Sequence, residues 1–392
     1  MGTDIVIIGA GPAGLSFARA LNGSGLSITL IDRQDEAALA DPPYDGREIA
    51  LTHHSRRLMV RHGLWQHVPE EHISLIRHAR VLNGKSGYSL HFDHREAGRE
   101  TLGFMISNHR IRKAAYDAVK EMEGVTLLTG ASVVDVRTDS AEGMVTLGDG
   151  TTLTAPLVVA ADSRFSASRR MMGIPASMLD FGRTCIVCRM TAEKPHGDTA
   201  LECFHYGRTL AILPLPDNEV SIVITVGSDQ DKTVLDQPEA EFNADIMRRT
   251  GHRFGEMRLV SERFAYPLVA VHANRFHTRR YALVGDAAVG MHPVTAHGFN
   301  LGLRGADILA EELLAARRTG GDIGAAGPLA RYSSRHSQRT LPLYHGTNAI
   351  VRLYTQETLP AKLARAVLLR LGSRVKPAKR LIMDQLTEIS PA

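Results

Sequence analysis

Cysteine is scarce: Cys185, Cys188 and Cys203 are the only three in 392 residues. Three is too few, and odd, for a disulfide framework, which excludes the small secreted scaffolds and points to a reducing compartment. Cys185 and Cys188 form C-x-x-C, but inside the β-branched run T-C-I-V-C. Residues three apart on a strand face opposite sides of its sheet, so the pair reads as two strand residues, and no metal site is expected. Long apolar runs are also missing. Nothing approaches the ~20 consecutive apolar residues that cross a bilayer, and the opening M-G-T-D-I-V lacks the basic flank and cleavage site of a signal peptide. Charge of one sign is lacking too: 46 Lys and Arg against 42 acids leave +4, far from the footprint of a nucleic-acid binder. The expected location is cytoplasmic, free or held on the inner face of the cytoplasmic membrane by its surface.

What is present is the composition of a globular protein, 44% hydrophobic and 22% charged, long enough for two to three folding units. Ile5 to Ile8 is a β-branched run, followed by G-A-G-P-A-G, an apolar stretch from Leu15 to Leu21, and a second strand from Ser27 to Ile31. This is a βαβ opening of the kind that builds a parallel sheet covered on both faces. The middle of the chain differs. Ala79 to Leu82, Tyr88 to Phe92, Thr184 to Met190, Leu201 to Tyr206, Leu210 to Leu215 and Val220 to Val226 are short strands with turn signals, which predict an antiparallel sheet. Y-A-L-V-G-D from Tyr281 returns to the first pattern, and an amphipathic helix follows from about Phe299 to Arg318. The chain then reads as mostly helical, punctuated by Pro342, Pro360 and Pro377. The expectation is an α/β protein in which a Rossmann-like nucleotide unit (1–73, 107–182 and 272–330) is interleaved with an antiparallel-sheet unit (74–106 and 183–271), followed by C-terminal helices (331–392).

The glycine segment carries the first chemistry. Gly9, Gly11 and Gly14, with Pro12 and Ala13 between them, allow a tight turn, close approach of backbone to a pyrophosphate, and helix–sheet contact. Asp32, at the end of the next strand and followed by Arg33, has the spacing of an acid that binds a ribose hydroxyl.

The downstream segments narrow the choice of dinucleotide. Gly285-Asp286-Ala287-Ala288, then His292-Pro293 and His297-Gly298-Phe299-Asn300-Leu301-Gly302, resemble the segment with which the group A flavoprotein aromatic hydroxylases hold the ribityl end of FAD. Ala161-Asp162-Ser163-Arg164-Phe165-Ser166-Ala167-Ser168-Arg169 looks like that family's D-G-x-x-S-x-x-R segment, with Ser163 where the family usually has glycine. Arg47 to Thr52, Ser55, Leu58, Gly63 to Trp65, Asn108 to Arg112 and H-P-x-x-x-x-G-F-N-L-G-L resemble the ubiquinone-biosynthesis hydroxylases over nearly the whole chain. A departure is Ala296-His297, where this branch more often carries Gly-Gln.

The resemblance implies a FAD-dependent monooxygenase that hydroxylates the ring of a polyprenyl phenol or quinol with O2, through a C4a-hydroperoxyflavin. In that chemistry the protein positions, polarises and excludes water. By the same resemblance Asp286 and Asp162 bind the cofactor's middle, Asp32 and Arg33 its adenosine end, and Arg47 and Arg112 its polar flank. A helix start at Gly298, Phe299 and Asn300 would point N–H groups at the flavin. His297 would take a phenolic proton or tune the flavin, or else serve as a local hydrogen-bonding group, while Pro293 shapes the loop over the ring. No second glycine unit for NAD(P)H occurs, so reductant is either NAD(P)H bound transiently or a protein electron donor. Two other reactions fit the same cofactor, reduction of a polyprenyl chain and hydroxylation of another aromatic metabolite; a FAD-holding scaffold for quinone-biosynthesis partner proteins is the non-catalytic alternative.

Residues 361–381 hold seven basic residues and no acid, interleaved with Leu363, Val367, Leu368, Leu369 and Leu371. The rest of the chain is therefore slightly acidic. A basic amphipathic segment binds anionic membrane surfaces, or packs its apolar stripe on the protein's own body.

Overall fold

A computed structural model of the chain describes residues 2–83, 89–205, 208–293, 297–355, 383, 387 and 388. The basic segment 361–381 and Ala296 lie outside the described residues.

The β-branched runs form the centre of a six-stranded sheet. Its order is His277–Thr278, Tyr281–Leu283, Leu157–Ala160, Ile5–Ile8, Ile28–Ile31 and Val125–Leu128. All pairings are parallel except the 277–282 hairpin. Ile5–Ile8 and Leu157–Ala160 are buried at every position, as continuous apolar strands covered on both faces must be. The helix Pro12–Ala20 packs against the helices Asn108–Lys120 and His297–Arg318, and a three-stranded antiparallel sheet over 133–155 lies by Ile5–Ile8 and Leu157–Ala160.

The second unit is a nine-stranded sheet. Its order is Val289–Gly290, Phe264–Ala273, Ala176–Ala192, Glu219–Gly227, Arg208–Pro214, Thr199–His205, His78–Asn83 and Ser89–Asp93, with Met257–Leu259 paired beside Ala176–Ala192. It is mixed, not purely antiparallel as expected, because Thr199–His205 pairs in parallel with His78–Asn83. The His78 strand arrives from a distant part of the chain, so no hairpin imposes the antiparallel direction. Two further boundaries differ. Gly103–Ser107 pairs with both Glu48–Leu51 and Ser74–Ile76 in a small separate sheet, and the strand expected from Thr184 already begins at Ala176.

The nine-stranded sheet has two unlike faces. Ile186, Cys188, Leu201, Cys203, Ile212 and Ile222 pack with Phe242 and Ile246 of the helix Glu239–Arg249. Cys185, Val187 and Val223 point the other way, so the two cysteines of C-x-x-C do lie on opposite faces. Val81, Ala200 and Leu213 on that second face cluster with Ala50 and Met105 of the small sheet.

The helix Ala326–Thr355 lies along His297–Arg318. Gly305 makes the approach possible, since a Cβ there would stand 2.7 Å from the His336 ring. Glu312 receives Arg331 and Arg335, each at 2.7 Å. Pro342 sits inside this helix and does not end it. Its missing N–H removes one intrahelical bond, which packing against the neighbouring helix offsets.

Candidate functional site

Three separated glycine segments close on one another. Gly9 has φ +105°, and a Cβ on it would stand 2.6 Å from the Ala161 carbonyl oxygen. A Cβ on Gly14 would meet the Gly9 carbonyl oxygen at 2.0 Å. Gly285 has φ +60°, and its Cβ would fall 2.5 Å from that of Ala13, while one on Gly302 would lie 3.3 Å from the Gly285 Cα. Glycine at these points is what lets the 9–14, 161–169, 285–288 and 297–302 segments share one cleft wall.

Gly11 and Gly298 are different, because a Cβ on either meets nothing within 4 Å. Both stand at helix starts that face open space. Gly11 gives the helix Pro12–Ala20 no side-chain cap, so its first N–H groups remain for a ligand.

The expected polar residues surround this wall. Asp32 accepts the Ala10 N–H at 2.7 Å and the Gln34 N–H at 2.9 Å, and each oxygen keeps a further lone pair. Arg33 is exposed. Arg112 donates to Gln34 at 3.0 Å. Burial lowers its pKa, against the charges of Asp45 and Asp32. Arg47 pairs with Asp45 at 2.5 Å and lies 5.3 Å from the Tyr266 ring centroid. Burial would raise the Asp45 carboxyl, but the hydrogen bond and charge of Arg47 prevail and hold it below the ordinary range.

Asp162 accepts from the Ser168 N–H at 3.3 Å and hydroxyl at 3.1 Å, and Tyr281 donates to the same hydroxyl at 2.9 Å. The other Asp162 oxygen, Oδ1, is buried and has no partner among the described residues. Asp286 is paired with Arg164 at 3.1 Å. Arg169, nearly fully buried, ties the segments together by donating to the carbonyls of Ala287 at 2.8 Å and Arg164 at 3.2 Å.

His297 is the first described residue of its helix, one residue before the expected start at Gly298, and is buried. Phe299 packs partly against the main core. The Asn300 carboxamide is committed: its oxygen accepts from Thr52 N–H at 3.1 Å and its nitrogen donates to Ala50 O at 2.9 Å. Only the backbone of Asn300 can therefore face a ligand. Pro293 is exposed, whereas His292 is buried with its ring 4.9 Å from Phe181. Burial, aided by the charge of Arg183, pushes His292 down to about 4.

Three features carry no signal in the sequence pattern. Glu48, with a side chain 1% exposed, receives Arg189 at 2.7 Å, and Arg189 also donates to Ser107 at 2.6 Å over the Tyr44 ring. Burial pulls the Arg189 guanidinium down, but Glu48 outweighs it and keeps it charged. Glu388, far along the chain, returns to pair with Arg304 at 2.7 Å and to accept from Thr52 at 2.8 Å. His78, His91 and Asp93 gather ligand atoms within 4.8 Å of one another on paired strands, although no metal site was expected.

Residues 2–340 match the model of the FAD binding domain family. The chain is 51% identical to ubiquinone hydroxylase UbiM of Neisseria meningitidis, over 98% of this chain and 84% of that protein. The chain belongs to the FAD-dependent hydroxylases of ubiquinone biosynthesis. It is a flavoprotein monooxygenase. Ubiquinone hydroxylase UbiL of Rhodospirillum rubrum is 39% identical, over 97% of this chain and 88% of its own. In fold, the chain resembles p-nitrophenol 4-monooxygenase PnpA of Pseudomonas putida, with a TM-score of 0.79, 18% identity and 99% of both chains covered. FAD fits the residues present: open space over Gly11 and Gly298, and N–H groups left without a side-chain cap at the start of the helix Pro12–Ala20.

Proposed function

We propose that this hydroxylase oxidises the aromatic ring of a polyprenylated ubiquinone precursor. The observation that carries the reading is the convergence of the three glycine segments beneath a sheet face, in a chain half identical to a protein named ubiquinone hydroxylase. FAD, when bound, supplies the activated oxygen atom after reduction by NAD(P)H or a protein donor.

The chain's own residues bind and orient. Gly9, Gly11, Pro12, Ala13 and Gly14 would hold the pyrophosphate at a helix N-terminus, with Asp32 and Arg33 at the adenosine end and Arg47 and Arg112 along the flank. Asp162, Gly285 and Asp286 would hold the ribityl chain, for which Asp286 exchanges its present contact with Arg164. The N–H groups of Gly298, Phe299 and Asn300 would stabilise negative charge on the flavin edge, and the Asn300 carboxamide fixes that helix start to the strand Glu48–Leu51. His297 would lie next to this edge, where it would accept a proton or tune the flavin, and Pro293 would shape the loop over the ring. The six-stranded unit is then the FAD-binding domain, and the nine-stranded sheet roofs the substrate.

No helix among the described residues is long and apolar enough to cross a membrane. A prenyl tail is membrane-soluble, so the basic 361–381 segment would bring the enzyme to an anionic bilayer surface, where quinone-biosynthesis partners also gather. Quinone profiling of a deletion strain tests the reading. Accumulation of an under-hydroxylated precursor, reversed by the wild-type gene, is expected. Normal quinone with no intermediate refutes it. Complementation with His297→Ala decides whether that histidine takes part.

A further inference from the structure

Glu202 lies in the middle of the strand Thr199–His205, on the face of the large sheet that looks toward the flavin half. Its neighbours Leu201 and Cys203 point into the opposite, apolar core. The register places Glu202 beside Val81 on one side and Ala211 on the other, and the row continues through Val223 to Val187. It is the one charged residue in a row of apolar ones.

That face is tied to the cofactor wall at two edges. Val81 and Ala200 cluster with Ala50, whose carbonyl accepts the Asn300 carboxamide. Val187 and Val223 cluster with Phe181, whose ring touches His292. Glu202 thus stands on a surface whose two edges reach Ala50 and His292.

Its carboxylate meets no hydrogen-bond partner or counter-charge among the described residues, and burial alone raises it to about 7. The residue nevertheless keeps intermediate exposure, so it is not sealed in a packed core, and the space over this face is the proposed substrate hollow. Cys185 and Cys203, whose fields reach Glu202, are both pushed to about 12 by burial and are neutral at pH 7. A lone acid in such a setting is unsatisfied until something with a proton to share occupies the hollow.

We infer that Glu202 is the acid–base residue of the substrate hollow, accepting the phenolic proton of the ring as the oxygen atom is transferred. The phenol O–H bond breaks and a Glu202 O–H bond forms. The electron pair left on the phenolate makes the ring carbon that takes the oxygen more nucleophilic. That carbon then loses its own proton to water to restore aromaticity, and Glu202 returns its proton to the ring oxygen, which leaves the carboxylate ready for the next turnover. An acid titrating near the working pH suits both directions of transfer.

The inference rests on the phenolic substrate class proposed above, and the test separates the two. Holoenzyme is assayed with 2-farnesylphenol for hydroxylation and with 2-farnesyl-4-nitrophenol for the visible band of bound phenolate. Wild type is expected to hydroxylate the first and bind the second as phenolate. Glu202→Gln should lose roughly 100-fold in hydroxylation and bind the nitrophenol in its neutral form, with FAD content unchanged. Glu202→Asp, which keeps the acid on a shorter arm, should retain the phenolate band and recover part of the rate. A Gln variant that hydroxylates like wild type, or a FAD-replete Asp variant as inert as Gln, overturns the role of Glu202 alone. Wild type inactive on every prenyl phenol overturns the substrate reading, and this inference with it.

Discussion

The two walls of the cleft are built by opposite means. On the flavin side the structure depends on what is missing: Gly9, Gly14, Gly285 and Gly302 lack side chains where a Cβ would collide with neighbouring atoms. In the proposed reading, cofactor recognition there falls to backbone N–H groups. On the sheet side it depends on side chains brought together by strand pairing, with Glu202, Val81 and Val223 aligned from distant parts of the chain. Backbone sites tolerate few substitutions and recognise a constant ligand; side-chain sites can change with the substrate.

The sharpest contrast lies within the glycine wall. Gly14→Ala puts a methyl group 2.0 Å from a backbone oxygen, so the variant should purify colourless and unstable. Gly11→Ala meets open space, so it should melt like wild type yet bind FAD more weakly, as read by flavin absorbance and thermal denaturation. Equal behaviour of the two would remove the distinction between folding glycines and ligand-facing ones.

Next in size is the junction between the walls. Arg189→Ala strands the buried Glu48 carboxylate and should destabilise by about 3 kcal/mol, measured by denaturant unfolding. Adding Glu48→Leu should restore most of that loss. Asn300→Ala leaves Thr52 N–H and Ala50 O unpaired and should cost about 2 kcal/mol. A cost under about 0.5 kcal/mol would show that Asn300 does not join the helix start to the small sheet.

The smallest effect is in pH. His292 is held neutral when folded, with its pKa near 4 against about 6.5 in the unfolded chain. Between those values the unfolded state binds the extra proton, so stability rises with pH and is lost as pH falls from 6.5 toward 4. From pH 7 to pH 5.5 this amounts to roughly 1 kcal/mol, which His292→Phe should abolish. An unaltered slope would mean that His292 is not desolvated.

The difference between the walls also explains what could be read from the sequence. The Gly9 to Gly14 turn and the contact of Asp32 with the Ala10 N–H are made within one βαβ unit, so their spacing carries their geometry, whereas the fit of Gly9 to Ala161 and of Gly285 to Ala13 is made across the fold. Cys185 and Cys188 likewise followed strand periodicity. Glu48–Arg189, Thr52–Glu388 and the His78–His91–Asp93 group depend on contacts across the fold. The parallel pairing of Thr199–His205 with His78–Asn83 was hidden for the same reason, since register between remote strands is a tertiary property. Pro342 misled in the opposite direction: a local helix-breaking signal was overridden by packing.

Isotope labelling tests the central claim most directly. Purified enzyme with bound FAD, an electron donor, a prenyl phenol and 18O2 should yield a ring-hydroxylated product carrying a single 18O atom. A product whose new oxygen comes from water, or one with a reduced prenyl double bond and no oxygen added, would contradict it.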